Sequence, residues 1–240
     1  MYYSTLRSEK TKLFSFGWCL FGIAGAVLIP PFVLLLSDAP IGKMENEIVV
    51  AILQMLYLGQ LGVVVIGATY FGQEYSDSAL RTTLLAVPAR LKLLCVKTII
   101  LAIVVICTGI ISSILCLLIV FLENDFELTA SLIKCLVVNT SLVICSWLQL
   151  AWISASLSII IKSFAIPIAV MFSLILGLGQ MLFSILEITK YTPVLVTMNL
   201  FLLPINNVFL GKATGLLIQL LWGLIFATIS ALLFSNRDVR

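Results

Sequence analysis

Residues 72–97, GQEYSDSALRTTLLAVPARLKLLCVK, form the longest polar interruption in a chain of 240 residues that is otherwise mostly apolar. They carry six of the chain's charged residues, out of 14 basic and 11 acidic residues in all. Apolar runs at about 48–70 and 98–122 flank them, and each run is long enough to cross a bilayer as a helix. Residues 72–97 are therefore predicted to be a loop in water between two membrane spans.

The local sequence of this loop predicts a short helix followed by a new one. Ser76 or Ser78 can cap a helix that carries Leu80 and Leu84 on one face, and Pro88 ends it. Because proline is also a favourable first residue of a helix, the next span is expected to begin there. A short helix held at the membrane surface suits docking of a cytosolic partner; the alternative is a solvated loop whose basic residues only fix the topology.

Composition determines the broad class of the protein. Hydrophobic residues make up 62% and charged residues 10% of the chain, and the mean hydropathy is +1.21. This is too little polar surface for a soluble globule, so we expect an all-α polytopic membrane protein with one domain, residues 1–240. Strands are excluded because the apolar runs show no alternation of polar and apolar positions. The six predicted spans are at about 14–36, 48–70, 98–122, 132–161, 164–186 and 213–235.

The distribution of basic residues predicts the orientation. Ten of the 14 basic residues fall on the side that holds both termini and residues 72–97, and four fall on the other side. Positive charge favours the cytosol, so both termini and this loop are expected there. The basic residues sit at the ends of apolar runs and form no single patch, which excludes nucleic acid as a partner. Residues 1–13 read as an interfacial amphipathic helix or as a frayed basic tail.

Residues 187–212, between the fifth and sixth apolar runs, are apolar but interrupted by two prolines. The piece between Pro193 and Pro204 is too short to span a membrane. One interpretation is a re-entrant helical hairpin that forms an outer gate with Pro193, Leu203 and Pro204; the other is a hydrophobic loop resting on the bilayer surface.

Uncharged polar residues occur on one side of the fourth predicted span. They are Asn139, Ser146, Gln149 and Ser156. They are expected to face the bundle interior, either as hydrogen bonds between helices or as the lining of a translocation path. No acidic or basic residue lies clearly in mid-membrane, which argues against a proton-coupled carrier.

The sequence offers little for catalysis. It contains no histidine and no phosphate-binding GxxxxGK[ST] motif. Zinc hydrolysis, histidine-based catalysis and a built-in ATPase are therefore unsupported, and no metal or cofactor bound by this chain is expected.

The order of these features resembles the ABC-2-type (type V) permeases of ATP-binding-cassette exporters, in particular the small six-span subunits of bacteriocin and lantibiotic exporters. The similarity covers nearly the whole chain. Its most specific part is the loop, where Glu74-Tyr75, the run 80–84 (LRTTL), Pro88-Ala89-Arg90 and Lys97 match the pattern of that family.

The resemblance implies a permease that forms the translocation path and docks on separate ATPase subunits, which would bind ATP and Mg²⁺. It also implies a second copy or a sister permease, and an amphipathic or antimicrobial peptide as substrate. Contact with the ATPase would be made by Leu80, Arg81, Thr83, Leu84 and Arg90. Glu74 would brace the loop, or it could form a surface ion pair with a nearby lysine or arginine, worth under about 1 kcal/mol.

The resemblance places the chain in contact with lipid in the bacterial plasma membrane, with a role in secretion or self-immunity. It implies no enzymatic activity of the chain by itself. The alternatives are a secondary carrier or channel and a membrane scaffold, both of which would work without an ATPase.

Overall fold

A computed structural model describes residues 2–37, 45–75, 90–123, 129–202 and 206–236. In these ranges the chain is helical and contains no strand. The α-helices are α1 (Tyr2–Ser15), α2 (Gly17–Leu36), α3 (Glu45–Gly72), α4 (Arg90–Glu123), α5 (Ala130–Ile161), α6 (Ala165–Ser173), α7 (Gly179–Ile185) and α8 (Lys212–Asn236).

Six helical segments of the described chain are long and apolar enough to cross a membrane, which confirms the six predicted spans. They coincide with α2, α3, α4, α5, the pair α6 and α7, and α8, and are numbered as spans one to six in chain order. Residues 2–15 form α1, so the predicted amino-terminal helix is present; its position at the membrane interface stays a prediction.

Spans two and three extend into the polar stretch that the sequence assigned to a loop. A 3₁₀ turn, Gln73–Tyr75, continues α3, and α4 begins at Arg90, two residues after Pro88. Helix therefore covers both ends of residues 72–97. The predicted coupling helix falls on residues 76–89, which lie outside the described residues.

Spans one and two pack closely because glycines face each other. A methyl group added at Gly22 would lie 2.9 Å from the backbone nitrogen of Ile66, and one added at Gly62 would overlap the backbone of Ala26. Small residues let helix backbones approach in this way, and dispersion contacts then replace the hydrophobic driving force that lipid cannot supply. Deeper in the bundle the Trp147 ring fills the space beside Gly59.

Span five is interrupted in the middle, where the sequence predicted one continuous helix. A π-helical turn, Leu174–Leu178, separates α6 from α7, and Gly177 adopts φ 134°, a conformation that only glycine reaches easily. A break of this kind removes backbone carbonyls from the α-helical hydrogen-bond pattern, and within a membrane they need other partners. The Tyr57 hydroxyl donates a hydrogen bond to the carbonyl of Ile175 at 2.9 Å, so span two stabilises the interruption.

The connection between spans five and six folds into two short 3₁₀ helices, Glu187–Tyr191 and Leu195–Leu200. Buried Asn199 fastens the start of span six to the second of these helices: its amide donates to the carbonyls of Asn206 and Leu210, both at 2.9 Å, and its oxygen accepts from the Asn206 amide at 3.0 Å. Span six also holds this connection, since Gln219 Nε2 donates to the Pro193 carbonyl at 2.9 Å. The segment is thus helical in part, and its depth in the membrane stays a prediction.

Most of the buried side chains belong to one large core, and a smaller cluster lies beside it. The smaller cluster joins spans two, four and five to the connection before span six. We call it the second apolar cluster; its buried members are Val64, Leu150, Ile153, Met171, Ile175 and Val194.

Replacing Gly62 with alanine should destabilise the protein, because the added methyl group meets backbone atoms that cannot move aside. We expect a loss of about 3 kcal/mol or more in the free energy of unfolding, measured by thermal unfolding in detergent. Gly25 is the matched control on the same interface: a methyl group there would make only ordinary contacts, at 3.5 Å or more. Equal loss from both substitutions would contradict the close packing of spans one and two.

Candidate functional site

A buried lysine lies where the end of span two meets the first turns of span three. Lys97 is 2% exposed, two turns into α4. Its Nζ lies 3.0 Å from Glu74 Oε1 and 3.2 Å from Glu9 Oε2. Both carboxylates are buried as well, with Glu9 1% and Glu74 4% exposed. Three elements therefore meet at one amino group: α1, the end of span two and the start of span three.

Span two gives Lys97 additional partners. Lys97 Nζ donates to the backbone carbonyl of Tyr70 at 3.3 Å and lies 4.4 Å from the centre of the Tyr70 ring. The Tyr70 hydroxyl in turn donates to Glu9 Oε2 at 3.5 Å. Hydrogen bonds and a cation–π contact thus supplement the ion pairs of Lys97. A buried charge needs such additional partners because it has lost its contacts with water.

A second lysine completes the charge balance. Lys12 Nζ lies 2.8 Å from Glu9 Oε1, one turn along α1, and 3.5 Å from Glu74 Oε1. It is 37% exposed and so connects the buried charges to the surface. Two carboxylates and two ammonium groups now offset each other. We call Glu9, Lys12, Tyr70, Glu74 and Lys97 together the Lys97 cluster.

The charges of the two lysines control the titration of Glu9. Burial alone would raise the pKa of its carboxyl group. The positive charges of Lys97 and Lys12, together with their hydrogen bonds, outweigh burial and hold the pKa of Glu9 below its usual value. Glu9 is therefore ionised at neutral pH, and its ion pairs contribute to stability there.

The structure places Glu74 in this cluster, where it pairs with lysines, as one interpretation of the sequence predicted. The pair is buried and is not the surface ion pair that the sequence suggested, because α1 covers it. Arg90 is the first residue of α4. The remaining candidate contact residues, Leu80, Arg81, Thr83 and Leu84, lie outside the described residues.

The four candidate path residues of span four divide into two groups. Ser146, Gln149 and Ser156 are buried, as predicted for residues facing the bundle interior. Asn139 is half-buried near the start of α5, where its oxygen accepts a hydrogen bond from Lys212 Nζ at 2.7 Å. The oxygens of Ser146 and Gln149 have no hydrogen-bond partner within the described ranges, so no bond between helices accounts for them there. Of the proposed outer gate, Pro193 is buried, and Leu203 and Pro204 lie outside the described residues.

Sequence reasoning missed Glu9 and Lys12 as members of a site. One signal was available: Lys97 lies inside an apolar run, LLCVKTIILAIVV, where a lone charge needs a partner. Glu74 was the obvious acid nearby in sequence. Nothing in the local pattern of α1 shows that Glu9 faces the same point, because that depends on how α1 folds back against α4.

This chain matches no protein-family model, no curated protein and no solved structure. No group of three or more histidine, cysteine, aspartate or glutamate residues that could hold a metal ion occurs in the part of the chain that the structure describes.

Replacing Lys97 with methionine should leave Glu9 and Glu74 buried without their central cation. We expect a loss of about 3–5 kcal/mol in the free energy of unfolding in detergent. Adding Glu9→Gln should recover part of this loss, because it removes one of the uncompensated charges. Lys10→Met, the same change at an exposed lysine of α1, is the control and should cost little. Additive effects of the Glu9 and Lys97 substitutions would contradict a direct interaction.

Acid should weaken the cluster. Because the pKa of Glu9 is lower in the folded protein than in the unfolded chain, its contribution to stability is complete above the ordinary glutamate value. It is lost as the pH falls through the lower folded value. Below about pH 5 the unfolding temperature of the wild type should therefore fall more steeply than that of Glu9→Gln. Parallel curves would show that Glu9 is not stabilised by the lysines.

Proposed function

We propose that this chain is the permease subunit of an ATP-driven exporter of the ABC-2 type. It spans the bacterial plasma membrane six times and works with ATPase subunits on separate chains, which bind ATP and Mg²⁺. The observation that carries this proposal is the Lys97 cluster at the base of residues 76–89. A segment that transmits force to a membrane bundle needs a rigid attachment, and buried ion pairs at both ends of this segment supply one.

The attachment explains how a push on the loop would reach the spans. Residues 76–89 come after the 3₁₀ turn that holds Glu74 and precede α4, which holds Lys97. A displacement of the loop acts on spans two and three together, and the Glu9–Lys97 pair passes it to α1. ATP binding would close the ATPase dimer and favour the arrangement of spans that its contacts with the loop stabilise.

The loop residues have distinct roles in this proposal. Leu80 and Leu84 offer an apolar face to the ATPase, and Arg81, Thr83 and Arg90 supply charge and hydrogen bonds. Glu74 holds the base of the loop against span three through Lys97. With both termini in the cytosol, this loop and α1 lie on the ATPase side of the membrane.

The outer surface of the bundle has room for a second subunit or for lipid. Spans five and six are the least buried of the six. In each, 17% of the apolar segment is buried by the rest of the protein, against 61% in span four. A second copy or a sister permease would pack there or on the other exposed apolar faces. The substrate we favour is an amphipathic or antimicrobial peptide, exported for secretion or self-immunity, with Pro193, Leu203 and Pro204 at the outer gate.

Association with an ATPase tests the proposal directly. The full-length chain is purified from the membranes of its own host, and bound subunits and ATP hydrolysis are measured for wild type and for Arg81→Glu, Leu84→Asp. We expect the wild type to retain an ATPase and the double variant to lose it together with the hydrolysis. ATPase binding and hydrolysis should each fall at least tenfold. Arg81→Glu reverses a charge at the proposed contact, and Leu84→Asp places a charge on its apolar face.

A matched control makes the same two kinds of change in the opposite connection, at Ile188→Asp, Lys190→Glu. Spans three to five lie between the two connections, so these residues are on the other side of the membrane. The control variant should keep the ATPase. A wild type that transports or conducts without any ATPase would favour a carrier or channel. A double variant that still holds the ATPase would refute the coupling role of residues 80–90.

A further inference from the structure

Several buried polar side chains of the described residues lack a hydrogen-bond partner for at least one polar atom, and four of them are glutamine or serine residues of spans two, four and six. Both amide atoms of Gln60 lack a partner among the described residues, as do the Oγ of Ser146 and the Oε1 atoms of Gln149 and Gln219. Each of the four residues is less than one-tenth exposed. Buried polar atoms of this kind usually find a partner, since leaving one unpaired costs about 1–3 kcal/mol.

Contacts between spans two and four place Gln60 level with Ser146. The Ser131 hydroxyl donates to Glu45 Oε1 at 2.8 Å at the start of both helices. Further along, Gly59 meets the Trp147 ring and Gly67 meets Ala151. The two helices thus run in the same direction, and a residue of span two lies level with the residue of span four whose number is roughly 86 higher. Because both helices rise 1.5 Å per residue, this places Gln60 beside Ser146.

Contacts between spans four and six place Gln219 level with Gln149. Lys212 Nζ contacts Asn139 Oδ1 at 2.7 Å, and a methyl group at Gly223 would lie 4.0 Å from Ile153 Cγ1. These helices also run in the same direction. Gln149 lies less than one turn beyond Ser146, so the polar residues of all three spans occupy one level of the bundle.

The same residues share one face with the second apolar cluster. Val64, Leu150 and Ile153 come four residues after Gln60, Ser146 and Gln149 respectively, and all three belong to that cluster. Because residues four apart lie above one another on a helix, the polar side chains form a layer directly against the cluster. Gln219 enters the layer from span six, where its Nε2 already donates to the Pro193 carbonyl.

We propose that Gln60, Ser146, Gln149 and Gln219, here called the glutamine layer, form a binding site for neutral hydrogen-bonding molecules inside the membrane-spanning bundle, with water as its ligand at rest. The unpaired atoms include donors and acceptors and carry no charge, so the layer suits water or amide groups and offers nothing to bind an ion. Apolar side chains of the second cluster close it on one side. This inference does not depend on the proposed function.

Radiolytic hydroxyl labelling with mass spectrometry tests the site, with water itself as the probe. Trp147 is 0% exposed, and its ring packs against Gly59, the neighbour of Gln60 in the chain. Trp147 should therefore be labelled only if water occupies the layer. We expect clear labelling of Trp147 in the wild type and a several-fold decrease in Gln60→Leu.

Gln54→Leu is the matched control, since Gln54 is an exposed glutamine of the same helix; it should leave the labelling of Trp147 unchanged. If Gln60→Leu fails to fold, Gln149→Leu replaces it with the same expectation. The proposal is overturned if Trp147 is unlabelled in the wild type. It is also overturned if the labelling persists in the glutamine variants.

Discussion

The arrangement of the amino-terminal half depends on the burial of one positive charge. Lys97 carries its ammonium group into an apolar helix bundle, and this is tolerable only because Glu9 and Glu74 lie within ion-pair distance of it. The requirement fixes the position of α1 against α4 and the point at which span two ends. Such pairs add little net stability over apolar residues of the same size, and their value lies in specifying one arrangement. The segment between Glu74 and α4 therefore begins and ends at defined points.

A second constraint applies throughout the bundle: backbone polar groups have no water to bind in hydrocarbon. At two places where the described chain departs from the α-helix, a side chain from elsewhere in the fold donates a hydrogen bond to the backbone. Tyr57 does so at the interruption of span five, and Asn199 does so after the second 3₁₀ helix. The amide groups of the glutamine layer differ. Only Gln219 bonds to the backbone, at the Pro193 carbonyl, and the other unpaired atoms serve no backbone group. This contrast is why we assign it to a ligand.

Much of the fold can be inferred from hydrophobicity alone, because about twenty apolar residues in a row leave little choice but a spanning helix. The six spans could be predicted in this way, whereas α1 was one of two interpretations of residues 1–13, the other being a frayed tail. The break at Gly177 could not, since one glycine in an apolar run is common and its φ depends on the packing around it. The burial of Glu74 could not be predicted from the sequence either. A charged residue at the end of an apolar run is normally exposed, and only the fold shows that α1 covers this one. Inward-facing Ser146 and Gln149 were foreseen from helical periodicity, whereas their lack of partners became visible only with spans two and six in place.

Hydrogen–deuterium exchange of α1 tests most directly whether the Lys97 cluster holds this helix in place. In wild-type protein in detergent, the amides of α1 around Glu9 should be protected to an extent similar to those at the start of α4. In Lys97→Met that protection should be lost, while amides near Asn199, which lie in the connection before span six, should be unaffected. Fast exchange of α1 in the wild type, or equal protection of α1 in both proteins, would contradict the account.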